Sequence, residues 1–255
     1  MGMHFPNESP RYRAARDRLL EKEIELRRQM EAVAEARRKL PPGGMLKEDY
    51  VFDGLGADGK PARIRFSELF APGRDTLIVY NMMFPRHPAD TRPKPASGSL
   101  AKQPREDSPC PSCTALVDQF DGAAPHLEAA GFNFVVIAKT PLERLLTFAK
   151  ERGWRHVRFL SSANNSFKHD YQSEYEDGSQ NAMLQVFHRT GDGIRHFWSS
   201  EMQNIEPDEG QDERAFGTLE PVWNFMDLTP EGRPDWNVGL DDHGPKEAKP
   251  ALMAA

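Results

Sequence analysis

Two apolar runs, TLIVYNMMF (76–84) and FNFVVIAKT (132–140), constrain the fold of this chain more than any other feature. Each is continuous rather than alternating, the pattern of a strand buried on both faces. Helical patterns stand between and after them. One begins at Pro111, carries Ala115, Leu116, Val117 and Phe120, resumes at Leu127 after an interruption at DGAAP, and closes at Gly131, as a C-terminal glycine does. A second starts at Pro141, carries Leu142, Leu145, Leu146 and Phe148, and ends at Gly153. HVRFLSS (156–162) reads as a short strand, and AMLQVFHRT (182–190) and IRHFWSS (194–200) flank Gly191-Asp192-Gly193 as a hairpin. A last helix is predicted through Arg214–Asp227, with Phe216, Leu219, Trp223 and Phe225.

Before residue 76 the reading is simpler. Ser9-Pro10 is a helix start, and the helix runs to about Leu40, stopping at Pro41-Pro42-Gly43-Gly44. Tyr12, Ala15, Leu19, Leu26, Met30 and Val33 form an imperfect stripe, interrupted at Glu23 and widened by Leu20 and Ile24. Such a stripe either docks on its own domain or joins two copies in a homodimer. DYVF (49–52) and ARIRF (62–66), joined by GLGADG, form a hairpin, and SELF (67–70) one helical turn. The expected units are a helix and linker (1–44), an α/β domain (45–228) with a loop insertion at 85–109, and a Pro-, Gly- and Asp-rich disordered tail (229–255). The insertion holds many prolines and small residues and reads as a mobile loop. Residues 163–181 read as polar and irregular.

From residue 76 onward, β-α-β steps followed by an antiparallel hairpin and a closing helix make the thioredoxin arrangement, a mixed sheet with flanking helices. In that arrangement the only two cysteines, Cys110 and Cys113 of SPCPSC, sit where the first core strand ends and the first helix begins. A helix N-terminus presents unpaired N–H groups and the positive end of its dipole, both of which favour thiolate. Cys110 is the expected attacking sulfur and Cys113, one turn inside, the resolving one. Pro111 suits the first helical turn, and Ser112 is placed to tune the thiolate. Glu106 and Asp107 oppose thiolate formation if close; Arg86, His87 or Lys139 counter that if the fold brings them near.

The residues then resemble a family. The chain is similar over roughly 9–232 to the bacterial family known as domain of unknown function 899, thioredoxin-like proteins also described as predicted dithiol-disulfide oxidoreductases. The likeness rests on ARRKLPPG, IVYNMMF, CPSC, GFNFVVIAKTPLERL, ERGWRHVRFLSS and DLTPEGR. It implies the thioredoxin-like fold and redox work at the dithiol, with a protein or small-molecule disulfide or thiol as partner, and it implies no substrate. The chain departs from the pattern in its longer loop before the cysteines and in HFWSSEM (196–202). In SQNAMLQ (179–185) it lacks the cis-proline that a thioredoxin sets opposite its disulfide.

Other chemistries are weaker. A peroxiredoxin-like Pro-x-x-x-Thr-x-x-Cys is absent from either cysteine. A zinc site needs four ligands, and His87, His126, His169, His188 and His196 lack finger-like spacing, although His188 and His196 flank a hairpin and are candidates to face each other. The remaining alternatives are a metal-binding C-x-x-C protein and a non-catalytic interaction module that dimerises through the N-terminal helix. Trp154, Trp198, Trp223 and Phe197 read as packing, and SSANNSFKHD as a loop near the active face without a triad. No cofactor is expected, since neither a phosphate loop nor a dinucleotide fingerprint occurs. The net charge of −6 disfavours nucleic-acid binding. The lack of a long apolar run disfavours a membrane span. Without an apolar leader the expected location is cytoplasmic, where thiols stay reduced.

Overall fold

The computed structural model describes residues 3–209, 216–232, 235 and 238–241. The chain divides into two compact units, residues 1–43 and 44–255. The first is helix α1 (Pro10–Arg38). Its start is set by Ser9, whose Oγ accepts the Tyr12 N–H at 3.1 Å, and by Pro10 in the first turn. Arg37 and Arg38 face the negative end of its dipole, and Arg13–Asp17 and Arg16–Glu23 pairs run along its surface. None of its residues is buried; Leu20 and Ile24 are half-buried, while Tyr12, Leu19, Leu26, Met30 and Val33 are exposed.

The second unit holds strands β1 (Val51–Leu55), β2 (Pro61–Arg65) and β3 (Thr76–Met82), helix α2 (Pro111–Ala129), β4 (Asn133–Ala138), α3 (Leu142–Arg152), β5 (Arg158–Ser161), the single turn α4 (Phe167–Asp170), β6 (Met183–Thr190), β7 (Gly193–Ser199) and α5 (Pro221–Met226). One sheet runs β2-β1-β5-β4-β3-β6-β7. β3, β4 and β5 run parallel to one another, β1 pairs antiparallel with β5 at Asp53↔Ser161, and β6 returns antiparallel along β3 from Thr76↔His188 to Asn81↔Met183. The free edge of β7 is met by residues 44–46, with Leu46 N–H on Ile194 O and His196 N–H on Gly44 O.

Strand periodicity assigns the two faces. Ile78, Tyr80 and Met82 of β3, with Phe134, Val136 and Ala138 of β4, pack beneath Leu116 and Val117 of α2 and Leu145 and Phe148 of α3. Leu77 and Val79, with Val135 and Ile137, point the other way into Tyr50, Phe52, Phe66, Phe70, Phe167 and Phe187. A side chain switches face at every residue, so two apolar layers require the nearly continuous apolar runs of these central strands, broken inside β3 by the buried Asn81. The architecture is therefore α/β and thioredoxin-like: a mixed sheet with flanking helices, preceded by a long N-terminal helix and a β-hairpin.

Four expectations change. Residues 85–109 pack: Arg86 and Leu100 are buried, and two short 3-10 turns (Ser99–Lys102, Arg105–Asp107) order the segment. Their polar groups find partners, as where Glu151 accepts from the Ser99 N–H and Oγ, so proline content does not keep the segment out of the structure. α2 continues through DGAAP and holds Pro125 inside it, its flanks kept on the sheet by Val117 and the buried Ala124. The last helix shrinks to Pro221–Met226, because Pro221 fits only a first turn; Arg214 lies outside the described residues. In the tail, Val238 and Leu240 are buried, and residues 233, 234, 236, 237 and 242–255 lie outside the described residues.

α2 and α3 are clamped together by one carboxylate. Asp118 accepts from Arg152 Nε at 2.9 Å, Arg152 Nη2 at 2.5 Å and Trp154 Nε1 at 2.8 Å. Asp118→Ala takes the carboxylate from the nearly closed Arg152 guanidinium, which keeps its bond to Leu240 O at 2.6 Å, and removing one partner of such a pair costs about 3 kcal/mol. Urea unfolding is expected to show a midpoint lowered accordingly, with the denaturant slope unchanged.

Candidate functional site

β3 ends at Met82, the chain leaves through residues 85–109, and it returns at Cys110 against its own starting point. The Cys110 N–H donates to Met83 O at 2.9 Å. Cys110 is thereby the N-cap of α2, with Pro111 first in the helix, and its carbonyl accepts from Thr114 N–H at 3.0 Å and Thr114 Oγ1 at 2.9 Å. Both cysteines carry free thiols, and both residues are only 2% exposed. They are not sealed: with Tyr80, Met83, Arg92 and Trp223 they line a cavity of about 470 Å³ whose walls also include Tyr175, Asn181, Gln203 and Glu220.

The electrostatics separate the two sulfurs. The Cys110 thiol is lowered to about 6. The hydrogen bond from the Cys113 thiol does most of this against the opposing effect of burial, and the Cys113 backbone N–H and the Arg92 guanidinium add to it, while Asp90 opposes it. Cys113 moves the other way, well above an ordinary thiol, because burial and the neighbouring Cys110 sulfur disfavour a second negative charge. The Tyr80 hydroxyl beside its sulfur and the Met83 backbone N–H moderate that rise. One anionic sulfur and one protonated sulfur at neutral pH is the resting state this arrangement favours.

Arg92 is the residue that reading the sequence missed. It comes from the segment expected to be mobile. Its Nη2 donates to Cys110 Sγ at 3.4 Å and its Nη1 to Ser112 Oγ at 2.8 Å. Asp90 grips it in a fork, from Nε at 3.0 Å and from Nη2 at 2.8 Å, and keeps it charged despite burial. Nothing in the spacing Asp90-x-Arg92 pointed to this, since the pair acquires meaning only where the segment folds over the helix start.

The other expected residues divide. Pro111 and Ser112 are at the site, but Ser112 Oγ accepts from Arg92 rather than contacting the thiolate alone. Arg86, 3% exposed, supports from behind: its Nη1 donates to Arg92 O at 2.7 Å, and its charge acts on Cys110 through space. His87 does not reach the sulfurs; its Nδ1 accepts from the Ala89 N–H at 3.1 Å. Lys139 is outside the cavity lining and is paired with Glu174. Glu106 and Asp107 do not line the cavity either, pairing with Arg105 and Arg144. His188 and His196 do not face each other: His188 pairs with Arg195 and His196 with Phe187, which sets them on opposite faces. Trp198 packs on the core as expected, whereas Trp223 is a wall of the cavity. No group of three or more His, Cys, Asp or Glu side chains suited to a metal ion occurs among the described residues. No helix among them is long and apolar enough to cross a membrane.

Fold and site together define a thioredoxin-like α/β protein with a dithiol at the start of its first core helix. By a family match across residues 1–241, the chain belongs to the bacterial proteins of unknown function termed DUF899. Comparison with curated proteins finds no match. Among solved structures it is similar to AhpC of Enterococcus faecalis (11% identity, TM-score 0.44, covering 72% of this chain and 93% of that one). It is also similar to thioredoxin peroxidase I of Plasmodium yoelii (9%, 0.44, 78% and 100%). An uncharacterized conserved protein of Geobacillus kaustophilus is a further similar structure (14%, 0.39, 71% and 78%).

Alkylation of Cys110 by iodoacetamide, followed by mass spectrometry, is expected to accelerate with rising pH through a midpoint of about 6. Arg92→Met removes a positive charge that favours the thiolate. It should move that midpoint up by about 1 unit, and so slow alkylation below neutrality.

Proposed function

We propose that this chain is a thiol–disulfide oxidoreductase acting through Cys110 and Cys113. The observation that carries this reading is the Cys110 sulfur at the N-terminus of α2, with the Cys113 thiol and Arg92 Nη2 both directed at it and a cavity open above it. In the first step the Cys110 thiolate attacks one sulfur of a substrate RS–SR′, forming a Cys110–SR bond and breaking the S–S bond. The expelled R′S⁻ takes up the Cys113 proton. The Cys113 thiolate then attacks the Cys110 sulfur, forming the Cys110–Cys113 disulfide and releasing RS⁻. Two electrons pass from the dithiol to the substrate. Arg92 acts in the first step by holding the thiolate, and Asp90 holds Arg92.

The cavity favours a small substrate. Both sulfurs lie at its floor and are almost closed to solvent, so a disulfide on the surface of a folded protein meets the rim first. About 470 Å³ accommodates a small molecule, and the amides of Asn181 and Gln203 beside the aromatic Tyr175 and Trp223 suit one bearing polar groups.

Reduction of glutathione disulfide, or of another small disulfide, is expected to fall at least ~100-fold in Cys110→Ser, since no attacking thiolate remains. Cys113→Ser should accumulate a mixed disulfide, seen as Cys110 carrying the mass of half the substrate. A Cys110→Ser variant as fast as the parent overturns the assignment.

A further inference from the structure

The fully buried Lys168 has no part in the steps above, although it lies beside them. It sits in α4, which is pinned on both sides. Phe167 is enclosed by Tyr50 and Phe52 at centroid distances of 5.2 and 5.4 Å. Asp170 is held by Lys47 Nζ at 2.5 Å and by Tyr50 Oη and Ser166 Oγ, each at 2.8 Å. Between them the Lys168 side chain is 0% exposed and donates from Nζ to Met82 O at 2.8 Å.

Met82 O belongs to the peptide unit whose N–H is that of Met83, and the Met83 backbone N–H is among the groups that lower Cys113. The next carbonyl, Met83 O, accepts the Cys110 N–H. Lys168 therefore grips the far end of the peptide unit that acts on Cys113. A cation on the carbonyl polarises the amide and strengthens the bond its N–H makes, more so in a medium without water. The charged groups acting on Lys168 are Cys113 from α2, Glu174 from the segment after α4 and Lys139 from the end of β4. Burial lowers Lys168 to about 7 against the attraction of Cys113 and Glu174, so it changes charge near neutrality.

We infer that Lys168 is a positioning residue for Cys113, steadying, through the Met82–Met83 peptide, the thiolate that Cys113 becomes when it resolves the mixed disulfide. This rests on the dithiol reading above. The role is specific to the second step: Cys110 draws on Cys113 and Arg92, whereas the resolving sulfur, deeper and disfavoured as an anion, draws on the ammonium behind the strand end.

Rapid mixing with 5,5′-dithiobis(2-nitrobenzoate) separates the two steps, because attack by Cys110 releases one coloured thiolate and resolution by Cys113 the other. Lys168→Met is expected to slow the second release about tenfold more than the first, the change produced by a rise of about one unit in Cys113. Equal slowing of both phases, or no slowing of the second, overturns the inference. Absence of any release from the parent protein overturns the dithiol reading instead. If Lys168→Met fails to fold, nitrogen NMR of the parent protein decides. Lys168 should titrate at a lower pH in the Cys110–Cys113 disulfide form, which has lost the negative charge of the dithiol. Where that disulfide does not form, the variant with both cysteines changed to serine stands in for it. The same titration midpoint in both states overturns the inference.

Discussion

The Cys110 amide meets the Met83 carbonyl where β3 has just ended, and that closure organises the whole site. It brings the first turn of α2 down onto the end of a central strand. The sulfur at the N-cap then stands above the sheet instead of in solvent. It also closes residues 85–109 into a loop whose two ends nearly touch. An intervening segment tied at both ends is confined to the neighbourhood of the helix start, and Arg92 comes from that segment. Burial follows from the same closure, since Cys110 and Cys113 join the cluster formed by Tyr80, Met82, Leu116 and Val117.

Low dielectric and paired charge then act together. An isolated thiolate in an apolar layer is disfavoured, and this is the fate of Cys113. Cys110 escapes it because three donors converge on its sulfur: the Cys113 thiol, the Cys113 backbone N–H and Arg92. Each is supported in turn, Arg92 by Asp90 and, through its carbonyl, by Arg86. The reach of such supports is short, so a histidine or acid a few residues away contributes nothing unless its side chain is turned inward. His87, Glu106 and Asp107 are near in sequence and are engaged elsewhere.

How much of this the residues disclose in advance depends on whether the information is local. β3 and β4 were legible because a strand covered on both faces is apolar over most of its length, as both are apart from Thr76, Asn81 and Asn133. α1 was legible from Ser9-Pro10, and the start of α2 from Cys110-Pro111, because N-cap preference and the fixed φ of proline act within one turn. α4 was not, because a four-residue turn has no periodicity and its lysine looks like any solvated lysine in SSANNSFKHD. Packing of residues 85–109 was not, because the acceptors for its amides, such as Glu151 and Asp241, are supplied by distant parts of the chain.

The sequence by itself determined the alternation of strands and helices, the two-faced burial of the sheet centre and the placement of two cysteines at a helix start. These follow from periodicity, caps and turn residues, which operate over a few positions. Only the tertiary structure decided which charges meet the sulfurs. Arg92 and Lys168 are separated from Cys110 and Cys113 by stretches of chain; the first meets the Cys110 sulfur directly and the second meets the strand-end carbonyl of Met82. Electrostatic effects on a buried thiol depend on distances of a few ångströms, and those distances exist only once β3, α2, α4 and the segment between the first two have packed.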